Sequence, residues 1–236
     1  MKDWPDNCVD LVLTDPPYIG LKGGAIRQGK GVAAQKQISY AVGDEWDANL
    51  DWTKEAWRVT KYGAVSFCSY HFVAELALCF PKESHVCLLT WNKLTSPVPL
   101  NNVPRFSTEF IWAFKKTPGL MWRKWMTTDF IIPNITAGCV STGERFVKQN
   151  GTALHPAQKP LRLMKELLSI GGDIVLDPFC GTGTTCVAAK TLGRNYVGID
   201  ISEEYCQIAR DRIKAVESGV PVKEARKGQK GLFECG

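Results

Sequence analysis

No apolar run in these 236 residues approaches the ~18–20 needed to cross a bilayer as a helix. The opening ten residues, MKDWPDNCVD, are too polar for a secretory signal. No Cys-x-x-Cys pair occurs. The nine cysteines (Cys8, Cys68, Cys79, Cys87, Cys139, Cys180, Cys186, Cys206 and Cys235) are odd in number and scattered, a poor framework for zinc or disulfides. Reduced thiols in a cytoplasmic protein are the expectation. Histidine is scarce, and His71, His85 and His155 suggest no proton-transfer role. Repeats and low-complexity tracts are absent, and so is a complete GxGxxG. With 44% hydrophobic and 22% charged residues, the chain is neither disordered, collagen-like nor a coiled-coil rod. Its length predicts one or two domains and burial of about 70% of the unfolded surface, so no staple is required.

Acidic residues are missing from one long stretch. Residues 20–40 hold Lys22, Arg27, Lys30 and Lys36 with no acid. Residues 105–149 hold seven basic residues (Arg105, Lys115, Lys116, Arg123, Lys124, Arg145, Lys148) against Glu109, Asp129 and Glu144. The two windows carry +4 each, so with a net charge of +5 the remainder sums to −3. Both read as irregular. Basic loops interleaved with Trp122, Trp125 and Phe146 suit a phosphate backbone plus base stacking; solvated surface lysines are the plainer alternative.

Along the chain, Val9–Leu13 is a short apolar run that stops at Thr14-Asp15-Pro16-Pro17-Tyr18. Consecutive prolines cannot continue a central ladder, so a buried strand ends there and a rigid turn presents Asp15 and Tyr18. The Gly-rich stretch 20–31 is expected to be mobile. Residues 52–61 suit a helix, 64–68 a strand, 73–79 a helix, and 85–91 and 110–114 strands. Pro160 suits a first helical turn, followed by Leu161, Met164, Leu167 and Leu168 at helical spacing. Ile174–Leu176 is a buried strand ending at Asp177, and Cys180-Gly181-Thr182-Gly183 leads into a helix through Leu192. Residues 196–199 form the next strand, ending at Asp200. Ser202 can cap a helix whose apolar face is Tyr205, Ile208, Ala209, Ile213 and Val216. Alternating strands and helices predict a Rossmann-like, doubly wound, mostly parallel α/β sheet.

Ligands of open α/β sheets lie beyond the carboxyl ends of strands. Asp177-Pro178-Phe179-Cys180-Gly181-Thr182-Gly183-Thr184-Thr185 fits that rule. Its glycines admit close approach, the helix N-terminus offers N–H groups to a carboxylate, and Asp200 about twenty residues on can take ribose hydroxyls. A nucleoside site follows; a tight turn without ligand is the alternative. In Asp15-Pro16-Pro17-Tyr18, Asp15 and the Pro16 carbonyl can each accept a hydrogen from an exocyclic amine while Tyr18 stacks on its ring. Such acceptors favour the transition state of an attacking amine. The alternative is a bare strand terminator. Residues 24–31, GAIRQGKG, miss a P-loop by one residue, with Gly31 where a metal-binding hydroxyl is required.

TDPPY, FCGTGTT and His155-Pro156-Ala157-Gln158-Lys159-Pro160 together resemble the S-adenosylmethionine-dependent DNA amino-methyltransferases, in the order of their permuted β group. Trp46-Asp47, Arg58-Val59, Trp91-Asn92-Lys93, Glu109 and Tyr196–Asp200 fall where that family has similar residues. The resemblance implies a class I methyltransferase fold with an irregular target-recognition insertion. It implies one domain over 1–236, with a catalytic half at 1–114, the insertion at 115–154, a cofactor half at 155–218 and a polar tail at 219–236. Asp15, Pro16, Pro17 and Tyr18 would hold a flipped base. Phe179, Gly181, Thr182, Gly183 and Thr184 would line the cofactor, Asp177 would lie beneath it, Asp200 would bind its ribose and Lys159 would approach its carboxylate. Arg27, Lys30, Lys36, Arg123 and Lys124 would contact double-stranded DNA. No membrane partner and no metal are implied, and self-association into a homodimer is left open. The expected reaction is methylation of adenine N6. Cytosine N4 is the alternative, as is a catalytically defective DNA-binding relative. The last arises because a strand and Gly-Asp pair that the family places upstream of its DPPY is not found in the 14 residues before Asp15.

Overall fold

The computed structural model describes residues 1–17, 50–92, 108–116, 129–131 and 158–219. Their strands form a seven-stranded sheet in the order β5-β3-β4-β2-β1-β6-β7. The strands are β1 (Val9–Thr14), β2 (Thr60–Cys68), β3 (His85–Asn92), β4 (Thr108–Lys115), β5 (Asp129–Ile131), β6 (Ile174–Asp177) and β7 (Asn195–Gly198). β1 pairs in parallel with both β2 and β6, and β6 with β7. β4 is antiparallel to its neighbours β2 and β3, while β3 and β5 are parallel. The doubly wound, mostly parallel sheet expected from the alternation is therefore present, with one reversed strand among those described.

Helices cover both faces. Leu11, Leu13, Val65, Phe67, Ile111 and Val175 pack on one face with α3 (Leu161–Leu168) and α4 (Thr184–Thr191). Val12, Ala64, Phe114 and Leu176 pack on the other with α1 (Trp52–Val59) and Leu76 of α2 (Val73–Leu78). α5 (Glu203–Glu217) adds Ile213 to a cluster with Cys180, Cys186 and Val187. Its start is capped as expected, the Ser202 hydroxyl accepting from the Tyr205 N–H at 3.3 Å.

Most boundaries lie within a residue or two of the sequence reading, and the start of β2 differs most. α1 stops at Val59, and β2 begins at Thr60 rather than Ala64. The Thr60 hydroxyl lies 2.7 Å from the Gly63 carbonyl and 3.2 Å from that of Asp10, so the extra residues are recruited by β1. The expected irregular insertion contributes a strand of its own, β5, in which Phe130 and Ile131 supply the β-prone pair. Lys116, one of the seven basic residues of the 105–149 window, serves the fold. Its ammonium donates to the carbonyls of Trp57 (2.6 Å) and Thr60 (2.8 Å) and to the Asn7 side chain (2.8 Å). Those bonds fasten the end of β4 to the exposed carbonyl end of α1, where a cation is favoured.

Candidate active site

β1 and β6 are neighbours, so the two segments singled out from sequence emerge side by side at the carboxyl edge of the sheet. Asp15, Pro16 and Pro17 follow the last residue of β1, each half-buried. Asp177 ends β6. The Thr14 hydroxyl donates to Asp177 Oδ1 at 2.7 Å and joins the two strand ends directly. The Thr185 hydroxyl donates to Oδ2 at 2.5 Å and the Phe179 N–H to Oδ1 at 3.1 Å. Burial pushes the Asp177 carboxyl up to about 6 in spite of these three donors, with nearby Asp15 pushing the same way. Asp177 is thus an internal brace. Both its oxygens are occupied by protein groups, which suits a place beneath a ligand rather than against one.

The loop after β6 is drawn tight by positive backbone φ at Gly181 (50°) and Gly183 (78°). Its Cys180 N–H donates to the Ile199 carbonyl at 2.8 Å, tying it to the chain leaving β7. The Asp200 carboxylate accepts from the Gly181 N–H (2.8 Å) and the Ser202 N–H (2.9 Å), one on each oxygen. Two fixed donors hold the carboxylate plane while Asp200 stays partly exposed, with lone pairs left for a hydroxyl pair. Phe179 is half-buried, its ring set edge-on to Trp52 at 5.5 Å.

Arg212 of α5 was not anticipated. It is 2% exposed and donates to the Thr182 carbonyl (2.5 Å), the Thr182 hydroxyl (3.2 Å) and the Thr184 hydroxyl (3.1 Å). The side chains of Thr182 and Thr184 are therefore turned inward to the guanidinium, and what they share with a ligand is their backbone. The signal for Arg212 was available: it interrupts the apolar face between Ala209 and Ile213, where a cation survives only with buried partners.

Lys159 lies just before α3 and is 6% exposed. Its ammonium is ion-paired to Asp15, stands 3.3 Å from Glu109 Oε2 and lies 4.9 Å above the Phe67 ring. Burial works to lower its pKa, but Asp15 and Glu109 outweigh that and hold it above the ordinary lysine range. The resemblance implies an approach of this side chain to the cofactor carboxylate; among the described residues it meets two protein carboxylates, one of them the acid of Asp15-Pro16-Pro17. Tyr18, Arg27, Lys30, Lys36, Arg123 and Lys124 lie outside the described residues, as do the stretch 20–31 and residue 155.

A structure of the M1.HpyAVI–SAM complex superposes with a TM-score of 0.58 at 32% identity, covering 86% of this chain and 88% of that one. The cytosine-N4-specific PvuII DNA methyltransferase superposes with a TM-score of 0.59 over 96% of this chain and 86% of that one; at 14% identity the likeness is of fold alone. The fold is that of a class I methyltransferase. Residues 9–211 match the family model for N6 and N4 DNA methylases, and the chain belongs to that DNA methylase family. The type II methyltransferase M2.DpnII of Streptococcus pneumoniae is 33% identical, covering 88% of this chain and 83% of the relative. The type II methyltransferase M.HinfI of Haemophilus influenzae is 29% identical over 92% of this chain, which spans 66% of that relative's length.

Proposed function

We propose that this chain transfers a methyl group from S-adenosylmethionine to the exocyclic N6 of adenine in double-stranded DNA. The observation that carries the reading is the adjacency of two strand ends. Asp15 follows β1, the glycine loop follows β6, and the 2.7 Å bond from Thr14 to Asp177 joins them. A methyl donor in the loop and an amine at Asp15 would be held within reach of each other, which is the main requirement of a direct displacement.

The residues present fit the cofactor. The backbone of Gly181, Thr182, Gly183 and Thr184 gives a close-approach cradle, Phe179 an apolar wall, and the fixed, partly exposed Asp200 carboxylate an acceptor for a ribose diol. When bound, S-adenosylmethionine supplies an electrophilic methyl group on a sulfonium. The chain's own work is on the amine. The Asp15 carboxylate and the Pro16 carbonyl would accept hydrogen bonds from its two N–H groups, so that its lone pair leaves conjugation with the ring and becomes available for attack. Tyr18 stacks on the base. A paired base is enclosed, so the target nucleotide flips out of the duplex. Arg27, Lys30, Lys36, Arg123 and Lys124 contact phosphates, and residues 115–154 read the target sequence. The catalytic half at 1–114 and the cofactor half at 155–218 meet along the β1–β6 pairing. A cytoplasmic setting and a homodimer belong to the same reading. No helix among the described residues is long and apolar enough to cross a membrane.

Mass spectrometry of nucleosides from unmethylated DNA, incubated with the protein and S-adenosylmethionine, tests the reading. N6-methyladenine is the expected product. N4-methylcytosine would overturn the choice of base, and no methylated nucleoside from folded, cofactor-binding protein would overturn the activity.

A further inference from the structure

Three charged side chains meet at the catalytic edge from three separate elements. Asp15 follows β1, Glu109 lies near the start of the reversed strand β4, and Lys159 precedes α3. Because β4 is antiparallel to β2, its start lies at the same edge as the end of β1, which brings Glu109 there. Asp15 and Glu109 are 18% and 20% exposed, and the ammonium between them 6%. Burying three charges is a poor way to stabilise a fold, since apolar groups of similar volume do as well or better. The arrangement therefore calls for another explanation.

A lysine paired with Asp15 alone would make a neutral couple. The ammonium would compete with an incoming amine for the carboxylate's lone pairs, and the couple would present no charge to a nitrogen that becomes cationic as it takes up the methyl group. The second carboxylate changes both. It shares the ammonium, and, counted over the described residues, it leaves the cluster at −1. We propose that Glu109 is a positioning residue for the methyl transfer: acting through Lys159, it keeps Asp15 held in place yet net negative toward the amine. The proposal rests on the assignment of Asp15 as amine acceptor made above. Among the described residues, two other titratable groups face the cluster. Cys68 of β2, pushed up to about 12 by burial and by Glu109, stays neutral, and Asp177 of β6 faces Asp15. Asp177 is common to every variant below, so the sign of a shift between variants is the readout.

The experiment is the single-turnover methylation rate as a function of pH at saturating S-adenosylmethionine, with calorimetric cofactor binding for each variant. Glu109→Gln keeps the shape but removes the charge. At an intermediate effective dielectric, a unit charge several ångströms from a nitrogen that becomes cationic is worth roughly ten- to a hundredfold in rate. The expected result is a rate at least about tenfold lower, with cofactor affinity within about twofold of the parent. Its acid limb moves to lower pH, because one of two like charges is gone. Lys159→Met leaves the two carboxylates facing each other, so its acid limb moves the other way. A parental rate and limb in Glu109→Gln, or limbs that move together in the two variants, would overturn the proposal. Loss of cofactor binding in Glu109→Gln would make Glu109 merely structural and overturn it too. Asp15→Ala separates the layers. If it methylates normally the underlying assignment fails; if it is inactive while Glu109→Gln behaves like the parent, only the present proposal fails.

Discussion

Asp15 and Asp177 stand at the ends of adjacent strands, but their surroundings ask different things of them. Asp15 keeps an exposed fraction and an ion pair, as an acceptor must if a substrate is to reach it. Its replacement by Ala should abolish methylation while calorimetric binding of S-adenosylmethionine stays within a fewfold, because none of the loop contacts at Gly181, Asp200 or Arg212 involves it. Equal loss of both would remove Asp15 from its assigned role. Asp177 is sealed, and its consequence is for stability. Its carboxyl ionises near 4 in the unfolded chain and at about 6 in the fold. The native state holds the proton longer, so the fold is favoured by this group at low pH. That advantage fades as pH rises from about 4 through 6 and stays lost above it. Asp177→Asn escapes the penalty, since its amide oxygen still accepts from Thr14 and Phe179 and the Thr185 hydroxyl can turn to accept. Relative to the parent, the variant should gain on the order of 1 kcal/mol between pH 5 and pH 7.5 in urea unfolding. A difference that does not vary with pH would show that Asp177 ionises alike in the folded and unfolded chain, with no upward shift in the fold.

At the scale of elements, the loop depends on how closely α4 and α5 approach. A Cβ built on Gly183 would lie 2.5 Å from the Cβ of Ala209 and 3.0 Å from its Cα, and the backbone there has φ +78°. Two separate penalties follow for Gly183→Ala: a left-handed conformation costing about 1–2 kcal/mol, and a steric clash that must push the helices apart at a further 1–3 kcal/mol. Adding Ala209→Gly relieves the second and leaves the first. Urea midpoints should therefore fall in Gly183→Ala and recover only in part in the double variant, with cofactor affinity following the same order. Full recovery would mean that backbone strain at Gly183 is negligible. No recovery would mean that the contact with α5 does not limit the loop.

For the molecule as a whole, what could be read in the sequence was local. Pro16 and Pro17 end β1, the glycines mark the turn after β6, and Ser202 opens α5; each acts within a few residues of itself. What could not be read was set by topology. Lys159 and Asp15 are 144 positions apart, and nothing in either neighbourhood says that a reversed β4 will carry Glu109 to the same edge. The ionisation of Asp177 likewise depends on Thr14 from a different strand. Charge lies between these cases, because its distribution is visible in sequence while its use is not. Lys116, counted in a +4 window, fastens helix α1. The proposed function places DNA contacts on other residues, among them Arg123 and Lys124 in the stretch expected to serve target recognition. Each phosphate neutralised releases condensed counterions, so the logarithm of affinity falls with the logarithm of salt by about 0.9 per contact. Replacing Arg123 and Lys124 together by Ala should reduce that slope by about two and weaken binding to all duplexes alike. Affinity for S-adenosylmethionine should not change. Fluorescence anisotropy with a labelled duplex across a salt series measures the slope directly. An unchanged slope would return this pair to the solvated surface, and a slope that fell together with cofactor affinity would point to damage to the fold instead.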